Sequence, residues 1–316
     1  MNLTPEILIN LSQNLNKIIV GQPLVIKQLL VALLSGGHVI LEGVPGTGKT
    51  LLVKVLSKLI QADFRRVQLT PDILPSDILG TNIFDFNSRS FTLQKGPIFT
   101  EILLADEINR TPPKTQSALL EAMEEQQVTL DGETLVLSPL FWVAATQNPL
   151  EFEGTYPLPE AQLDRFLFKL IIDYPPPEAA KQMLLNFQQG FKGKKIDLDQ
   201  LQPIATVEEI LQARQQIQNI KVDDKIIDYL LNLIDKTRQH PDLELGASPR
   251  AAVAWLQTSK AQAWFSQRDY VTPDDIKNIA SPLLRHRLIL KPESQLDGIK
   301  IDAVIASLLN QVPVPR

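Results

Sequence analysis

Apolar residues recur along this chain with two different periods. Between residues 5 and 34 the spacing is helical, and two helices are predicted, over 5–18 and 23–34. In the second, Leu24, Ile26, Leu29, Leu30, Leu33 and Leu34 form one face. Short continuous apolar runs follow at 38–42, 64–69, 102–105, 141–146 and 168–172. Runs of that length, apolar at successive positions, suit strands buried on both faces of a parallel sheet. Helical runs separate several of them, at 51–60 and from Thr111–Pro112 to about Glu125. Alternating strands and helices predict an α/β domain.

Two segments break this rhythm. Residues 70–99 carry Pro71, Pro75 and Pro97, with short β-like runs at 83–86 and 91–93 around a turn-rich Asn87–Ser90. They read as a helix interrupted by a hairpin, a place for partner contacts or equally a cover for the core. Residues 128–137 centre on Asp131–Gly132, a two-residue hairpin signal. Thr111 is the expected N-cap of the helix that follows, with Pro112 in its first turn. Three prolines at 175–177 end the last strand, and the predicted domain division falls there, 1–174 and 175–316. Beyond it the period is helical almost throughout. Thr206 with Glu209, and Thr272 with Asp275, form capping boxes, and Ser248–Pro249 opens another helix with Arg250 in its first turn. A cation there opposes the helix dipole, so Arg250 is either an exposed arginine at small cost or one that faces an anion from elsewhere.

The chemistry concentrates in Gly43–Val44–Pro45–Gly46–Thr47–Gly48–Lys49–Thr50, between a strand and a helix. In that setting backbone N–H groups and the helix N-terminus converge on one volume that suits a di- or triphosphate. Lys49 can reach the β/γ-phosphates, Thr50 can offer its hydroxyl to Mg2+, and Leu51 begins the helix body. Gly43, Gly46 and Gly48 are expected to be glycine because a Cβ would collide with a backbone wrapped around phosphate. Asp106–Glu107 ends a strand at the sheet edge where ligands bind. Asp106 can hold Mg2+, and Glu107 can orient or deprotonate a water. Asn148 ends the next strand at the same edge and can hydrogen-bond that water or the γ-phosphate; a turn before Pro149 is its competing reading. Val20–Gly21–Gln22 reads on spacing alone as an interhelix turn.

Composition narrows the field. The chain of 316 residues has no cysteine, which excludes disulfides, thiol catalysis and Cys-zinc sites. Its three histidines, His38, His240 and His286, are far apart and do not suggest a metal site. A net charge of −5 gives no general pull toward nucleic acid. No secretory leader and no bilayer-spanning run is visible, and a cytoplasmic location is expected.

Together, Gly43–Thr50, Leu103–Glu107 and Asn148 resemble the nucleotide site of AAA+ ATPases. The runs Asp106–Gln116, Thr70–Asp77 and Glu153–Phe166 are similar to the MoxR family within them. The resemblance covers essentially the whole chain. It implies a P-loop AAA+ core with a five-stranded parallel sheet, a helix-2 insert at 70–99, a pre-sensor-1 hairpin at 128–137, and an all-α C-terminal lid. It further implies that Asn148 is sensor 1, that Arg165 is an arginine finger reaching a neighbouring subunit's ATP, and that Arg250 is sensor 2. It places Val20–Gly21–Gln22 along the adenine pocket. Rings, usually hexamers, a von Willebrand factor A domain partner, and chaperone-like remodelling driven by ATP and Mg2+ follow from the same resemblance. Arg110 is a second cation that could complete the neighbour's site.

Other classes fit less well. A GTPase switch would carry Asn-Lys-x-Asp; the only Asn-Lys, Asn16–Lys17, has Ile19 where the aspartate belongs. A DNA-associated AAA+ motor or a metal-chelatase-type motor subunit is the alternative, but aromatic–basic interleaving is read as missing from both hairpins. A passive nucleotide scaffold is least expected, because the carboxylate pair is intact.

Overall fold

The computed structural model describes residues 5–86, 89–150, 154–188 and 201–315. Helices α1 (Pro5–Ile18) and α2 (Pro23–Leu34) precede the first strand, β1 (Val39–Glu42), which leads through the glycine loop into α3 (Lys49–Leu59). Next come β2 (Phe64–Gln68), α4 (Pro75–Leu79) and a hairpin of β3 (Gly80–Asp85) and β4 (Ser90–Lys95). Strand β5 (Ile102–Asp106), helix α5 (Pro113–Glu125), the hairpin β6 (Gln127–Leu130) and β7 (Glu133–Val136), and strand β8 (Trp142–Gln147) follow. A short α6 (Glu160–Leu163) and strand β9 (Phe168–Ile171) complete the α/β part.

The five-stranded sheet has the order β2–β5–β8–β1–β9, and every pairing is parallel. Strands β5 and β8 are buried at nearly every position, as their unbroken apolar sequences require. Strand β2 lies at the edge, and there Arg65, Arg66 and Gln68 are exposed. Chain order reverses beside β1, whose neighbours are β8 and β9, so the carboxyl ends of β1, β5 and β8 frame one crevice. Register pairs Glu42 with Gln147 and Ala105 with Ala145, which brings the carboxyl ends of β1, β5 and β8 level.

Helices cover both faces of the sheet. One apolar cluster packs α1, α2 and α3 against it and continues without a break into the C-terminal helices, from Leu8 to Val312. A second, containing Ile108, Leu119, Leu120, Met123 and Phe166, fills the other face under α5. The C-terminal helices are α7 (Pro177–Gln188), α8 (Val207–Gln218), α9 (Asp224–Arg238), α10 (Pro249–Phe265), α11 (Pro273–Leu284), α12 (Pro292–Leu296) and α13 (Ile301–Gln311). Both capping boxes form, and the Ser248 side chain accepts from Ala251 N–H.

Two local expectations are corrected. The C-terminal part is not entirely helical: β10 (Leu243–Leu245) and β11 (Ile289–Leu290) form a small antiparallel pair, too short to leave a period in the sequence. Thr111 does not cap α5. The helix starts one residue later, at Pro113, and Pro112, held extended by the proline after it, occupies the cap position. Both hairpins lie where turn chemistry placed them. Asp131 and Gly132 both have positive φ, 49° and 86°, as a type I′ turn demands. Among the described residues no helix is long and apolar enough to cross a membrane.

Candidate active site

A cavity of about 500 Å³ opens at the carboxyl edge of the sheet, lined by Gly46, Gly48, Lys49, Thr50, Asp106, Glu107 and Asn148, with Pro45 and Leu51 at its sides. Gly46 and Gly48 have φ of +84° and +88°, a left-handed backbone that glycine alone adopts freely. A Cβ built on either would meet nothing within 4 Å, so the loop surrounds open space of the kind a phosphate would fill. Gly43 is glycine for another reason than the one expected. A Cβ there would stand 2.3 Å from the Ile172 carbonyl oxygen, so it is the end of β9, not a phosphate, that forbids a side chain. Thr47 does not line the cavity; its hydroxyl donates to Val44 O at 3.0 Å and closes the loop on itself.

The Lys49 ammonium folds onto its own loop, donating to the carbonyls of Gly43 (2.6 Å) and Val44 (2.8 Å). Burial lowers its pKa, and the nearby Asp106 and Glu107 charges oppose that shift. The acids expected at the strand end are therefore within electrostatic reach of the lysine. Asp106 is the hub. Thr146 donates to its Oδ1 at 2.5 Å, and Thr50 approaches Oδ2 at 3.4 Å. Arg66, from edge strand β2, donates to Oδ2 through Nε (2.9 Å) and a terminal nitrogen (2.7 Å). Sequence reading passed over Arg66. The available signal was a basic residue on the strand beside β5, two positions before the partner of Asp106.

Glu107 leaves the strand in a left-handed conformation, φ 62° and ψ 52°. Its N–H donates to Thr146 Oγ1 at 2.9 Å, so one threonine positions both acids. Its carboxylate pairs with Arg110 at 3.1 Å, which places Arg110 beside the candidate base of its own chain. Asn148 is buried, and its carbonyl end accepts from Leu150 N–H at 3.2 Å. Among the described residues no group of three or more His, Asp or Glu side chains could hold a metal alone. Thr50 Oγ1 and Asp106 Oδ2, 3.4 Å apart, offer two hard oxygens of the kind a magnesium ion takes when phosphate and water supply the rest.

Arg165 and Arg250 do not line this cavity. They lie in a second one of about 260 Å³ with Glu124, Asp164 and Arg287. Arg165 Nε pairs with one oxygen of Glu124 at 3.1 Å, and Arg250 with the other at 2.9 Å. The chain's own P-loop thus receives neither arginine. Arg287 is buried there; desolvation lowers its pKa, while Asp164 opposes the shift. The Val20–Gly21–Gln22 turn packs on the segment after β9. A Cβ on Gly21 would meet Ala179 at 2.8 Å, and Gln22 donates to Asp173 O at 2.8 Å. Of the run 153–166, Glu153 lies outside the described residues.

The β3–β4 hairpin also carries more than was read from it. Phe84 stacks edge-on with Phe86 and with Phe91, both at 5.3 Å, and the three rings stay exposed.

The fold and site define a P-loop ATPase with an AAA core and a helical lid. The family of AAA ATPases associated with various cellular activities matches residues 38–168, and an AAA lid domain matches 235–308. The chain is 47% identical to YeaC of Bacillus subtilis, across 96% of this chain and 93% of that one. It is 40% identical to the chaperone MoxR1 of Mycobacterium tuberculosis, across 95% and 80%. A crystal structure from Cytophaga hutchinsonii, described as a candidate ATPase, superposes with a TM-score of 0.89 at 39% identity, covering 99% of this chain and 96% of that one. The chain belongs to the MoxR family of AAA+ ATPases.

Proposed function

We propose that this ATPase hydrolyses ATP with Mg2+ at a site completed by a second copy of the chain, and uses the turnover to remodel a protein partner. One observation carries the reading: Lys49, Thr50, Asp106, Glu107 and Asn148 share one cavity, while Arg165 and Arg250 sit together in another. A phosphoryl transfer needs cationic charge on the equatorial oxygens, and an arginine supplied by a neighbour is worth roughly 10³ to 10⁵ in rate.

In this reading the loop N–H groups, Lys49 and the N-terminus of α3 bind the phosphates. Thr50 and Asp106 hold Mg2+, which neutralises phosphate charge when bound. Glu107 orients the attacking water and accepts its proton. The NH2 end of Asn148, whose carbonyl end Leu150 holds, donates to that water or to the γ-phosphate. Arg165 reaches the neighbour's nucleotide, and Arg250 travels with it. The Val20–Gln22 turn, packed on the linker after β9, receives the adenine and reports it to the lid. Residues 1–174 act as the nucleotide-binding core and 175–316 as the lid. The MoxR1 relative is a chaperone, which supports remodelling as the output. A hexameric ring in the cytoplasm, working with a von Willebrand factor A domain protein, is the assembly we infer.

The test is complementation. Arg165→Ala should bind ATP without turning it over, and Lys49→Ala should fail to bind it. A mixture of the two should regain ATPase activity. A mixture no more active than its parts would sink the shared site.

A further inference from the structure

The end of helix α11 delivers three consecutive side chains, Arg285, His286 and Arg287, onto the backbone that carries Arg165. Arg287 is 8% exposed and spends its whole guanidinium there. Its Nε donates to Asp164 Oδ1 at 2.6 Å. One terminal nitrogen donates to the carbonyls of Asp164 (3.3 Å) and Phe166 (2.7 Å). The other donates to Leu167 O at 2.9 Å and back to Leu283 O in its own helix. His286 Nε2 donates to Phe166 O at 2.8 Å, and Arg285 donates to Lys169 O at 3.1 Å. The residues on either side of Arg165 are thus held by α11, while the Arg165 side chain itself reaches Glu124.

This is more than a contact between two parts of the chain. Four of the five Arg287 acceptors are backbone carbonyls, three of them at residues 164, 166 and 167. The planar fork therefore fixes the path of the backbone at Arg165 as well as pairing with the Asp164 carboxylate. Lysine has the charge but not the fork, and it could satisfy only part of this set. Arg287 is buried, so water replaces a lost donor poorly; Phe166 O keeps a second donor in His286 Nε2, whereas the bonds to Asp164 O and Leu167 O depend on the fork.

We propose that Arg287 is a positioning residue for Arg165, through which the lid of one subunit sets ATP turnover in its neighbour. The proposal rests on the shared-site reading above. It assigns the defect of an Arg287 variant to the arginine that the subunit gives, not to the nucleotide site that it keeps.

Arg287→Lys is the test, with nucleotide binding, turnover and mixing all measured. Alone, it should lose roughly 10- to 100-fold in kcat while its ATP Kd stays within about twofold, as a small misplacement of a reacting group predicts. Mixed with Lys49→Ala, whose arginine is intact, it should recover as Arg165→Ala does in the same mixture. Asp164→Ala, which removes the acceptor of Arg287 Nε at a partly exposed position, should show the same pattern at smaller amplitude and guards against a misfolded Arg287 variant. Normal kcat in both variants overturns the proposal. So does failure of Arg287→Lys with Lys49→Ala where Arg165→Ala with Lys49→Ala succeeds, since the damage would then lie in the variant's own site. Failure of both mixtures would instead remove the shared site on which the proposal stands.

Discussion

Arg165 and Arg250, one from the segment before β9 and the other from the first turn of α10, each take one oxygen of the same carboxylate, Glu124, at 3.1 and 2.9 Å. One negative charge thus holds two guanidiniums that the sequence separates by most of a domain. All three side chains remain about a third to half exposed, so each pair contributes only about 0–1 kcal/mol. A triphosphate carries several charges and displaces such a partner readily. Under the shared-site proposal, Glu124 is a placeholder that a neighbour's triphosphate would displace. Glu124→Gln is expected to lower the protein concentration giving half-maximal ATPase activity by roughly fivefold, the equivalent of about 1 kcal/mol, with kcat little changed. A titration of activity against protein concentration measures it. A tenfold fall in kcat would show that the carboxylate aims the arginines instead.

Arg66 poses the same question at Asp106. Its guanidinium takes Oδ2, the oxygen nearer Thr50, and so stands where a cation bound by Thr50 and Asp106 would sit. Cation and guanidinium compete for one lone-pair region. Arg66→Gln should reduce the free Mg2+ needed for half-maximal activity severalfold at saturating ATP, a shift on the order of 1 kcal/mol for a half-exposed partner. An increased requirement would mean that Arg66 shapes the carboxylate for the metal.

Much of this was legible in the sequence, for physical reasons that can be named. Strand-end chemistry is local: once β1, β5 and β8 are recognised as buried parallel strands, Lys49, Asp106 and Asn148 must arrive at one edge. The two hairpins were legible because their turns need particular backbone angles. What escaped depends on partners distant in the chain. Arg66 looks like an edge-strand cation until register sets it beside Asp106. Glu124 is one of several glutamates ending α5 until Arg165 and Arg250 meet it. The Phe84–Phe86–Phe91 cluster needed the hairpin pairing before its rings could be seen to touch. Thr111 failed as a cap because two prolines follow it, which pushes the helix start along by one.

The glycine loop offers a separation of structural from ligand-binding roles. At Gly43 an added methyl meets a backbone carbonyl at 2.3 Å, which cannot move without shifting β9. Gly43→Ala is expected to lower stability by about 1–3 kcal/mol even without nucleotide, as overpacking does. At Gly46 an added methyl meets open space, and the cost is only that of a non-glycine residue at φ +84°, about 1 kcal/mol. Gly46→Ala should keep most of its stability and lose nucleotide affinity. Denaturant melts and a fluorescent-nucleotide titration on both variants check the contrast. Equal losses of stability would refute the distinction.

His38 carries the last prediction. It precedes β1, and its ring is buried between α5 and β8: Nδ1 accepts from Val143 N–H at 3.0 Å and Nε2 donates to Met123 O at 3.2 Å. That pattern requires the neutral ring, since protonation at Nδ1 would destroy the acceptor. Burial lowers the pKa to about 4, against 6.5 for the free side chain. Between those values the unfolded chain binds the extra proton and the folded chain does not. Stability is therefore complete above about pH 6.5 and falls as the pH drops toward 4, by on the order of 3 kcal/mol at most for this group. His286 is shifted in the same direction by burial and by the Arg287 charge. His38→Gln keeps a hydrogen-bonding side chain without the titration. Urea midpoints measured at pH 7.5 and pH 5 should fall further in the parent than in the variant, the remainder being carried by His286 and the carboxylates. An equal fall in both proteins would show that His38 does not contribute to the acid sensitivity of the fold.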